Sequence, residues 1–290
     1  LTVSDYYDPA ARRYTLTIRQ SCPPTPGQPH KEPFHIPLAL GILDAEGGDL
    51  PLHLEGEEAP AGTTRVLELR APEHTFHFIN IPARPVPSLL RGFSAPVKIN
   101  SAESDADLRF RLAHDSDDFN RWDASQTLAI RTLLALIEER RQGRTWTLPE
   151  SFSAAFGRAL TSDADPALLA HVLTLPSESY LAEQMTVVDV DGIHAARRWV
   201  QRTLAERLRE PLLATYQTLH HHERAGYCID AAAMGRRALK NVCLDYLMQL
   251  DDAALRALCL DQFHTAGTMT DQIGALAALV NDDSPARAEA

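Results

Sequence analysis

The sequence of 290 residues has no His-Glu-x-x-His segment, although it contains twelve histidines. On a helix, that spacing places two imidazoles and a carboxylate on one face, where they bind zinc and activate water. Only His222 is followed by glutamate, and Gly226 occupies the place of the second histidine. A glycine-rich phosphate loop is also missing, and the segment around Ser94 lacks the Gly-x-Ser-x-Gly pattern. The sequence therefore predicts no catalytic residue, no cofactor-binding residue and no metal ligand in this chain.

Cysteine is scarce, and no two cysteines form a Cys-x-x-Cys pair. The four cysteines are Cys22, Cys228, Cys243 and Cys259. Cys243 and Cys259 fall on the apolar stripes of predicted helices, so we expect buried free thiols instead of disulfides or metal ligands. Free thiols favour a reducing compartment, and we expect a cytoplasmic protein.

Long apolar runs and excess positive charge are absent as well. No segment approaches the ~20 apolar residues that span a bilayer, so no membrane partner is expected. The chain has 28 basic and 39 acidic residues, for a net charge of −11. Because such a surface repels phosphate backbones, nucleic acid is not an expected partner. A hydrophobic content of 44% with 23% charged residues is typical of a globular protein.

Composition divides the chain near residue 100. Fourteen of the nineteen prolines lie in residues 1–100, whereas alanine is concentrated in residues 101–290. The first part holds 9 basic and 11 acidic groups, and the second holds 19 and 28. The hydrophobic period changes at the same place. We therefore predict two domains, residues 1–100 and residues 101–290.

The first domain shows the period-two alternation of half-buried strands. One face carries Tyr14, Leu16 and Ile18, and a second run carries apolar residues at alternate positions of 36–42. Proline- and glycine-rich breakers separate these runs. About seven short strands fit a β-sandwich, and a partly open barrel would give a similar pattern.

The second domain shows helical periodicity in about ten segments. One stripe spans 130–137 and ends at Gly143, and Asp165-Pro166 forms an N-cap followed by a first-turn proline. Thr147-Leu-Pro-Glu150 has the spacing of a capping box. The last apolar stripe would face a further helical layer: Ile273, Leu276, Ala277 and Val280. On pattern alone, an irregular α-solenoid and a compact bundle both remain open.

Three polar clusters each have a structural and a functional interpretation. Adjacent residues of 220–223 (His-His-His-Glu) diverge by about 100° on a helix, which favours a solvated helix end over a metal site. His74 and His77 point to opposite faces of a predicted strand, so a packing or surface role is favoured over chelation. The cluster of Asp115, Asp117, Asp118 and Asn120 favours helix capping, with calcium binding as the alternative.

Several short segments have distinctive sequences that a fold class alone does not explain. They are Thr25-Pro-Gly-Gln-Pro29 with Lys31 and Pro33, His35-Ile-Pro37, Pro85-Val-Pro-Ser-Leu-Leu90, Phe93-Ser-Ala-Pro-Val-Lys98, His114-Asp-Ser-Asp-Asp-Phe-Asn-Arg-Trp-Asp-Ala124 and Thr268-Met-Thr-Asp271. With these segments in this order, the chain resembles the bacterial aminopeptidase N family of zinc metallopeptidases over essentially its whole length.

The resemblance implies an architecture and a role. Residues 1–100 would be the immunoglobulin-like β-sandwich of that family, and residues 101–290 the first part of its C-terminal helical superhelix. The zinc ligands and acid–base groups would belong to a catalytic domain elsewhere in the same polypeptide, so this chain alone is predicted to be inactive. It would scaffold that domain and enclose the chamber in which peptide substrates lose their N-terminal residues. The alternative is a stand-alone β-sandwich and helical-repeat adaptor that binds a partner protein.

Overall fold

The computed structural model describes residues 1–223 and 228–289 of the chain. The chain divides into two compact units, Leu1–Ala124 and Ser125–Ala290. The last described strand ends at Ser101 and the first helix begins at Asp105. The predicted domain boundary between residues 100 and 101 stays a prediction.

The strands of the first unit form two sheets. One sheet has four strands in the order β5-β2-β1-β7, and the other has three in the order β4-β3-β6. Only the β1–β7 pair is parallel. The strands are β1 (Thr2–Asp8), β2 (Arg13–Arg19), β3 (Ile36–Leu43), β4 (Arg65–Leu69), β5 (Glu73–Phe78), β6 (Val86–Leu89) and β7 (Asn100–Ser101).

The core of this unit lies between the apolar faces that the sequence predicts. Tyr14, Leu16 and Ile18 of β2 are all buried, in register with β5, where Leu16 pairs with Phe76. The alternating residues of β3 are buried as well, and Leu38 pairs with Leu67 of β4. Because side chains alternate across a strand, each sheet presents one apolar face, which is the geometry of a sandwich.

Helix α1 (Asp105–His114) belongs to the same compact unit as the two sheets, and it begins with a capping box. The Ser104 side chain accepts a hydrogen bond from the N–H of Asp107, and the Asp107 carboxylate accepts from the N–H of Ser104. A short turn then leads into α2 (Asp118–Arg141), whose first residues up to Ala124 complete the unit. The reciprocal bonds satisfy donors that a helix start leaves without partners.

Helices are the only regular secondary structure among the described residues of the second unit. Each helix presents an apolar face to its neighbours, and the interior is built mainly from leucine and alanine. After α2 the helices are α3 (Glu150–Leu160), α4 (Pro166–Leu173), α5 (Glu178–Glu183), α6 (Val190–Arg207), α7 (Arg209–Glu223), α8 (Ala231–Leu247), α9 (Ala253–Thr265), α10 (Met269–Val280) and α11 (Ala286–Glu289). In the part of the chain that the structure describes, no helix combines the length and apolarity needed to cross a membrane.

Two helix starts show where local sequence signals succeed and fail. The Asp165 side chain accepts from the N–H groups of Ala167 and Leu168, with proline in the first turn, as predicted. The predicted capping box at Thr147 is wrong, because α3 begins at Glu150 with Pro149 as its N-cap. That box would require a helical backbone at Leu148, and a residue before proline is disfavoured from the α region.

Helix α10 buries a different face from the stripe read in the sequence. Its buried residues are Asp271, Ala275, Ala278 and Leu279. Ile273 and Val280 are exposed, as is Met269 at the start of the helix. The apolar stripe therefore exists but faces away from the described helices, as expected of a layer whose outer face is uncovered.

Candidate functional site

The most densely connected polar cluster of the first unit surrounds Arg91, in a single turn of 3-10 helix after β6 (Arg91–Phe93). Its guanidinium is buried and donates from Nε to Ser88 Oγ at 2.8 Å and from Nη1 to Thr64 Oγ1 at 2.7 Å. Nη2 pairs with Asp49. A Cβ added at Gly41 of β3 would lie 2.0 Å from Arg91 Cζ, so another residue at this position would displace the guanidinium from its hydrogen bonds.

Arg111 of α1 forms the second half of the cluster. It is buried and donates from Nη1 to both carboxylate oxygens of Glu103, at 2.9 and 3.0 Å. Nη2 reaches Asn120 Oδ1 at 3.2 Å, and the Asn120 amide donates to Ser88 Oγ at 2.9 Å. Ser88 and Asn120 therefore join the two arginines. We call the residues Asp49, Ser88, Arg91, Arg111, Asp115 and Asn120 the arginine cluster.

Asp115 lies between the two arginines, and its carboxylate is fully buried. Its Oδ1 accepts from Ser88 Oγ and from the N–H of Asp117, both at 3.0 Å. Oδ1 lies 3.6 Å from Arg91 Nη2, and Oδ2 lies 3.6 Å from Arg111 Nε. Among the described residues Oδ2 receives no hydrogen bond. Burial therefore raises the pKa of Asp115. The two guanidinium groups only partly offset this effect, because both lie beyond hydrogen-bonding distance of the carboxylate.

Asp49 is the other carboxylate of the arginine cluster, and its pKa is shifted in the opposite direction. Burial acts to raise the pKa of Asp49, but hydrogen bonds from Arg91 and Ser116 outweigh it and hold that pKa below its usual value. The Ser116 hydroxyl donates to Asp49 Oδ2 at 2.6 Å. A direct hydrogen bond to a charged partner thus decides which of two neighbouring aspartates is more easily ionised.

The cluster holds the backbone of residues 90–93 in unusual conformations. Leu90, Gly92 and Phe93 have φ values of 57°, 60° and 52°. Left-handed conformations are costly for residues other than glycine and persist where the surroundings over-determine them. Besides the bonds of Arg91, the Gly92 N–H donates to Asp117 Oδ2 at 2.8 Å. These contacts therefore hold the backbone from which the Phe93 side chain projects.

Phe93 belongs to an exposed aromatic group at the edge of this cluster. Its ring centroid lies 5.1 Å from that of Phe119, which lies 5.6 Å from that of Trp122. Phe93 is 52% exposed and Trp122 36% exposed. We call Phe93, Phe119 and Trp122 the aromatic surface. Contiguous exposed aromatic side chains on a rigid backbone are typical of an interaction site.

The aspartates between α1 and α2 have more than one role. Capping is confirmed for Asp117, whose Oδ1 accepts from the N–H of Asn120 in the first turn of α2 at 2.9 Å. Asp115 instead faces the two guanidinium groups, which is the environment of an ion pair and not of a calcium ion. Asp118 is the first residue of α2.

The histidines and the serine considered in the sequence have structural contacts. His74 Nε2 accepts from the N–H groups of Arg70 and Ala71, and His77 Nδ1 lies 3.0 Å from Thr15 Oγ1. Both histidines therefore contact neighbouring groups of the β-sandwich unit. Ser94 Oγ accepts from the N–H of Ala39 at 2.9 Å.

The segment 222–226, which partly matches a zinc motif, extends beyond the described part of the chain. Residues 224–227 and the side chains of His222 and Glu223 lie outside the described residues. Within the described part, no group of three His, Cys, Asp or Glu side chains is placed to hold a metal ion. Buried free thiols are confirmed for Cys243 and Cys259, and burial raises the pKa of each to about 12.

The arginine cluster and the aromatic surface are not evident from the sequence. Arg91 is separated from Asp49 by 42 residues, and charged residues alone do not show which pairs meet. The aromatic residues stand in two of the distinctive segments, residues 93–98 and 114–124, but their adjacency depends on the turn before α2. The one available signal was that both segments contain an aromatic residue beside Asp, Asn or Gly.

Comparison with known proteins places this fold in a family. Residues 105–290 match the family described as "Domain of unknown function (DUF3458_C) ARM repeats", and residues 1–102 match "Domain of unknown function (DUF3458) Ig-like fold". The first of these models matches more than half of the chain, so the chain belongs to the DUF3458_C family. The predicted immunoglobulin-like sandwich followed by an all-helical repeat domain is confirmed, and ARM repeats decide between a solenoid and a compact bundle.

Similar individual proteins are aminopeptidases, which confirms the predicted resemblance. Aminopeptidase N of Escherichia coli (strain K12) is 38% identical over 288 residues, covering 99% of this chain and 32% of that protein. Aminopeptidase N of Caulobacter vibrioides is 38% identical over 282 residues, covering 97% and 31%. A crystal structure of Legionella pneumophila aminopeptidase A in complex with aspartic acid matches with a TM-score of 0.76 at 28% identity, covering 96% and 31%. The chain spans about a third of the length of these relatives.

Proposed function

We propose that this chain is the non-catalytic C-terminal region of a zinc-dependent aminopeptidase that removes N-terminal residues from peptides. In this role it scaffolds the catalytic domain and encloses the active-site chamber. The observation that carries the proposal is similarity to aminopeptidase N along nearly the whole chain but only a third of each relative. We also propose a cytoplasmic location and a role in peptide catabolism.

The described residues of this chain do not fit the zinc site of such an enzyme. In the described residues, no three His, Cys, Asp or Glu side chains converge. Zinc requires three or four such ligands at about 2.0–2.3 Å. We therefore place the metal and the acid–base groups in the remainder of the polypeptide, and no chemical step is assigned to this chain.

The aromatic surface supports a scaffolding role. An interface anchor needs a large apolar side chain held in one orientation, so that little conformational entropy is lost on docking. Phe93 meets both conditions, because it is exposed and its backbone is fixed by the arginine cluster. We propose that Phe93, Phe119 and Trp122 pack against the catalytic domain, and that the uncovered stripe on α10 packs against further helices of the same polypeptide.

Two proteins test the proposal: the 290-residue chain, and the complete protein encoded by its gene. With fluorogenic aminoacyl amides as substrates, we expect turnover by the complete protein and none by the isolated chain. Zinc analysis of untagged samples should find stoichiometric metal in the complete protein only. Turnover by the isolated chain would contradict the proposal. A gene that encodes no further domain would favour the adaptor.

A further inference from the structure

A pocket of about 510 Å³ opens in the helical unit, between the end of α2 and helix α6. Its volume lies within the range of small-molecule sites, which is about 300–1,000 Å³. Nothing in the proposed function uses it. The pocket is lined by Arg140, Gly143, Arg144, Thr145, Trp146 and Trp199.

The aromatic walls of the pocket are fixed before any ligand arrives. Gly143, with φ of 69°, reverses the chain after α2, and its N–H donates to Arg140 O at 2.9 Å. The returning segment is held because Trp146 Nε1 donates to Leu136 O at 2.7 Å. The ring centroids of Trp146 and Trp199 lie 5.4 Å apart, with the planes inclined by 56°. Two indole rings thus form a preformed apolar corner.

Positive charge lies beside this corner. Arg140 donates one N–H, from Nη1, to Asp191 O at 3.1 Å, which orients its guanidinium and leaves further donors. Arg144 is exposed, and within the described residues its guanidinium has no hydrogen-bonding or ion-pair partner. Glu138, on the last turn of α2, is engaged by Arg141 and Gln142. The local charge of the lining is therefore positive, although residues 101–290 are acidic in total.

We propose that this pocket binds aromatic carboxylates. The flat ring of such a ligand would lie against the two indoles, and its carboxylate would receive hydrogen bonds from Arg144 and Arg140. Arginine suits this task because its planar fork matches the two oxygens of a carboxylate. The ligand can be a free aromatic acid or the C-terminal Phe, Tyr or Trp of a peptide, since both present the same chemistry. The inference does not depend on the proposed function.

Tryptophan fluorescence and calorimetry of the 290-residue chain test the inference directly. Two of the three tryptophans lie in the pocket, so occupancy should change the emission. The probes are N-acetyl-phenylalanine and its C-terminal amide, which differ only in the charged group. We expect saturable binding of the acid and at least tenfold weaker binding of the amide, because a charge-assisted hydrogen bond is lost.

Matched variants separate the pocket from general surface charge. Arg144→Gln should weaken binding of the acid about tenfold, as the amide does, while Arg144→Lys should retain part of the affinity. Arg158→Gln removes another exposed arginine of the same unit, outside the pocket lining, and should leave the affinity unchanged. Circular dichroism verifies that each variant is folded.

The two sources of the ligand are distinguished with the tripeptide Ala-Ala-Phe. Tighter binding of the tripeptide than of N-acetyl-phenylalanine would identify peptide C-termini, and equal or weaker binding would identify free aromatic acids. The inference is overturned if neither acid binds saturably, if acid and amide bind equally, or if Arg144→Gln and Arg158→Gln have the same effect.

Discussion

Buried charged side chains lie beneath the turn of residues 90–93 in the unit Leu1–Ala124. In the unit Ser125–Ala290, they lie between packed helices. In the first unit, Arg91 and Arg111 share Asp115 at 3.6 Å without a direct hydrogen bond. In the second, Lys240 Nζ contacts Asp271 Oδ2 at 2.7 Å, and both side chains are buried. Hydrogen bonds of Asp49, Ser88 and Asn120 complete the first cluster, so that it holds the turn carrying Phe93.

The cluster of the second unit joins four helices. Asn241 Nδ2 donates to Asp271 Oδ1 at 3.2 Å, and Gln262 Nε2 donates to Asn241 Oδ1 at 2.9 Å. The Tyr216 hydroxyl donates to Gln262 Oε1 at 2.9 Å. This hydrogen-bond network runs from α7 to α9, from α9 to α8 and from α8 to α10, and its members are largely buried. Buried ion pairs and hydrogen bonds therefore hold a surface turn in the first unit and hold helices together in the second.

The largest effect is expected from breaking the ion pair between α8 and α10. Lys240→Ala should lower the free energy of unfolding by about 3–5 kcal/mol, because Asp271 remains as a buried charge without compensation. Urea denaturation measures the change. The double variant Lys240→Met with Asp271→Leu should lose much less, because it removes both charges together. A loss as large as in the single variant would show that packing dominates.

Two phenylalanines of the first unit, one buried in the core and one on the aromatic surface, should contribute very differently to its stability. Phe78→Ala should cost about 3–5 kcal/mol, since Phe78 is fully buried in the sandwich core. Phe93→Ala should cost less than about 1 kcal/mol in the isolated chain, since the side chain is half-exposed. Thermal and urea unfolding of both variants provide the comparison. Equal losses would mean that Phe93 is part of the core and not available for docking.

Gly41 provides a smaller and more local test of the arginine cluster. Gly41→Ala places a methyl group on the Arg91 guanidinium, and overpacking of this kind costs about 1–3 kcal/mol. Gly267→Ala is the matched control, because no heavy atom lies within 4 Å of its added Cβ. Urea denaturation should show a loss for the first variant only. Unchanged stability of Gly41→Ala would contradict the observed position of Arg91.

The pH dependence of stability should carry the smallest signal. Burial raises the pKa of Asp115 above its ordinary value of 3.8. The folded state then binds a proton more readily than the unfolded state, so the ionised carboxylate is a cost near neutral pH that protonation relieves. Relative to Asp115→Asn, the wild-type chain should therefore gain stability as pH falls towards 3.8. Urea denaturation across this range measures it, and a relative loss on acidification would show that the pKa is lowered instead.

Much of the fold could be predicted because apolar periodicity marks its core. Tyr14, Leu16 and Ile18 predict their strand, and the proline after Asp165 predicts its helix start. Strand β1 gives little signal, because Val3 is its only buried residue. The buried face of α10 gives no apolar signal of its own, because it includes Asp271, whose burial depends on its ion pair with Lys240.

The candidate site could be predicted only in part. Segments 93–98 and 114–124 stand out in the sequence, but nothing in them shows that Phe93 and Phe119 touch. The arginine cluster depends on partners distant in the chain, such as Asp49 and Arg91. Contacts of this kind arise from tertiary structure, for which a local pattern carries no information.

The proposed scaffolding role requires that the remainder of an aminopeptidase polypeptide covers the aromatic surface. Hydroxyl-radical footprinting tests it by comparing the isolated chain with the complete protein that its gene encodes. We predict strong protection of Phe93 and Trp122 in the complete protein, with Tyr6, an exposed residue of β1, as a reference for the intrinsic reactivity of the sandwich unit. Equal oxidation of Phe93 and Trp122 in the two proteins would contradict the account.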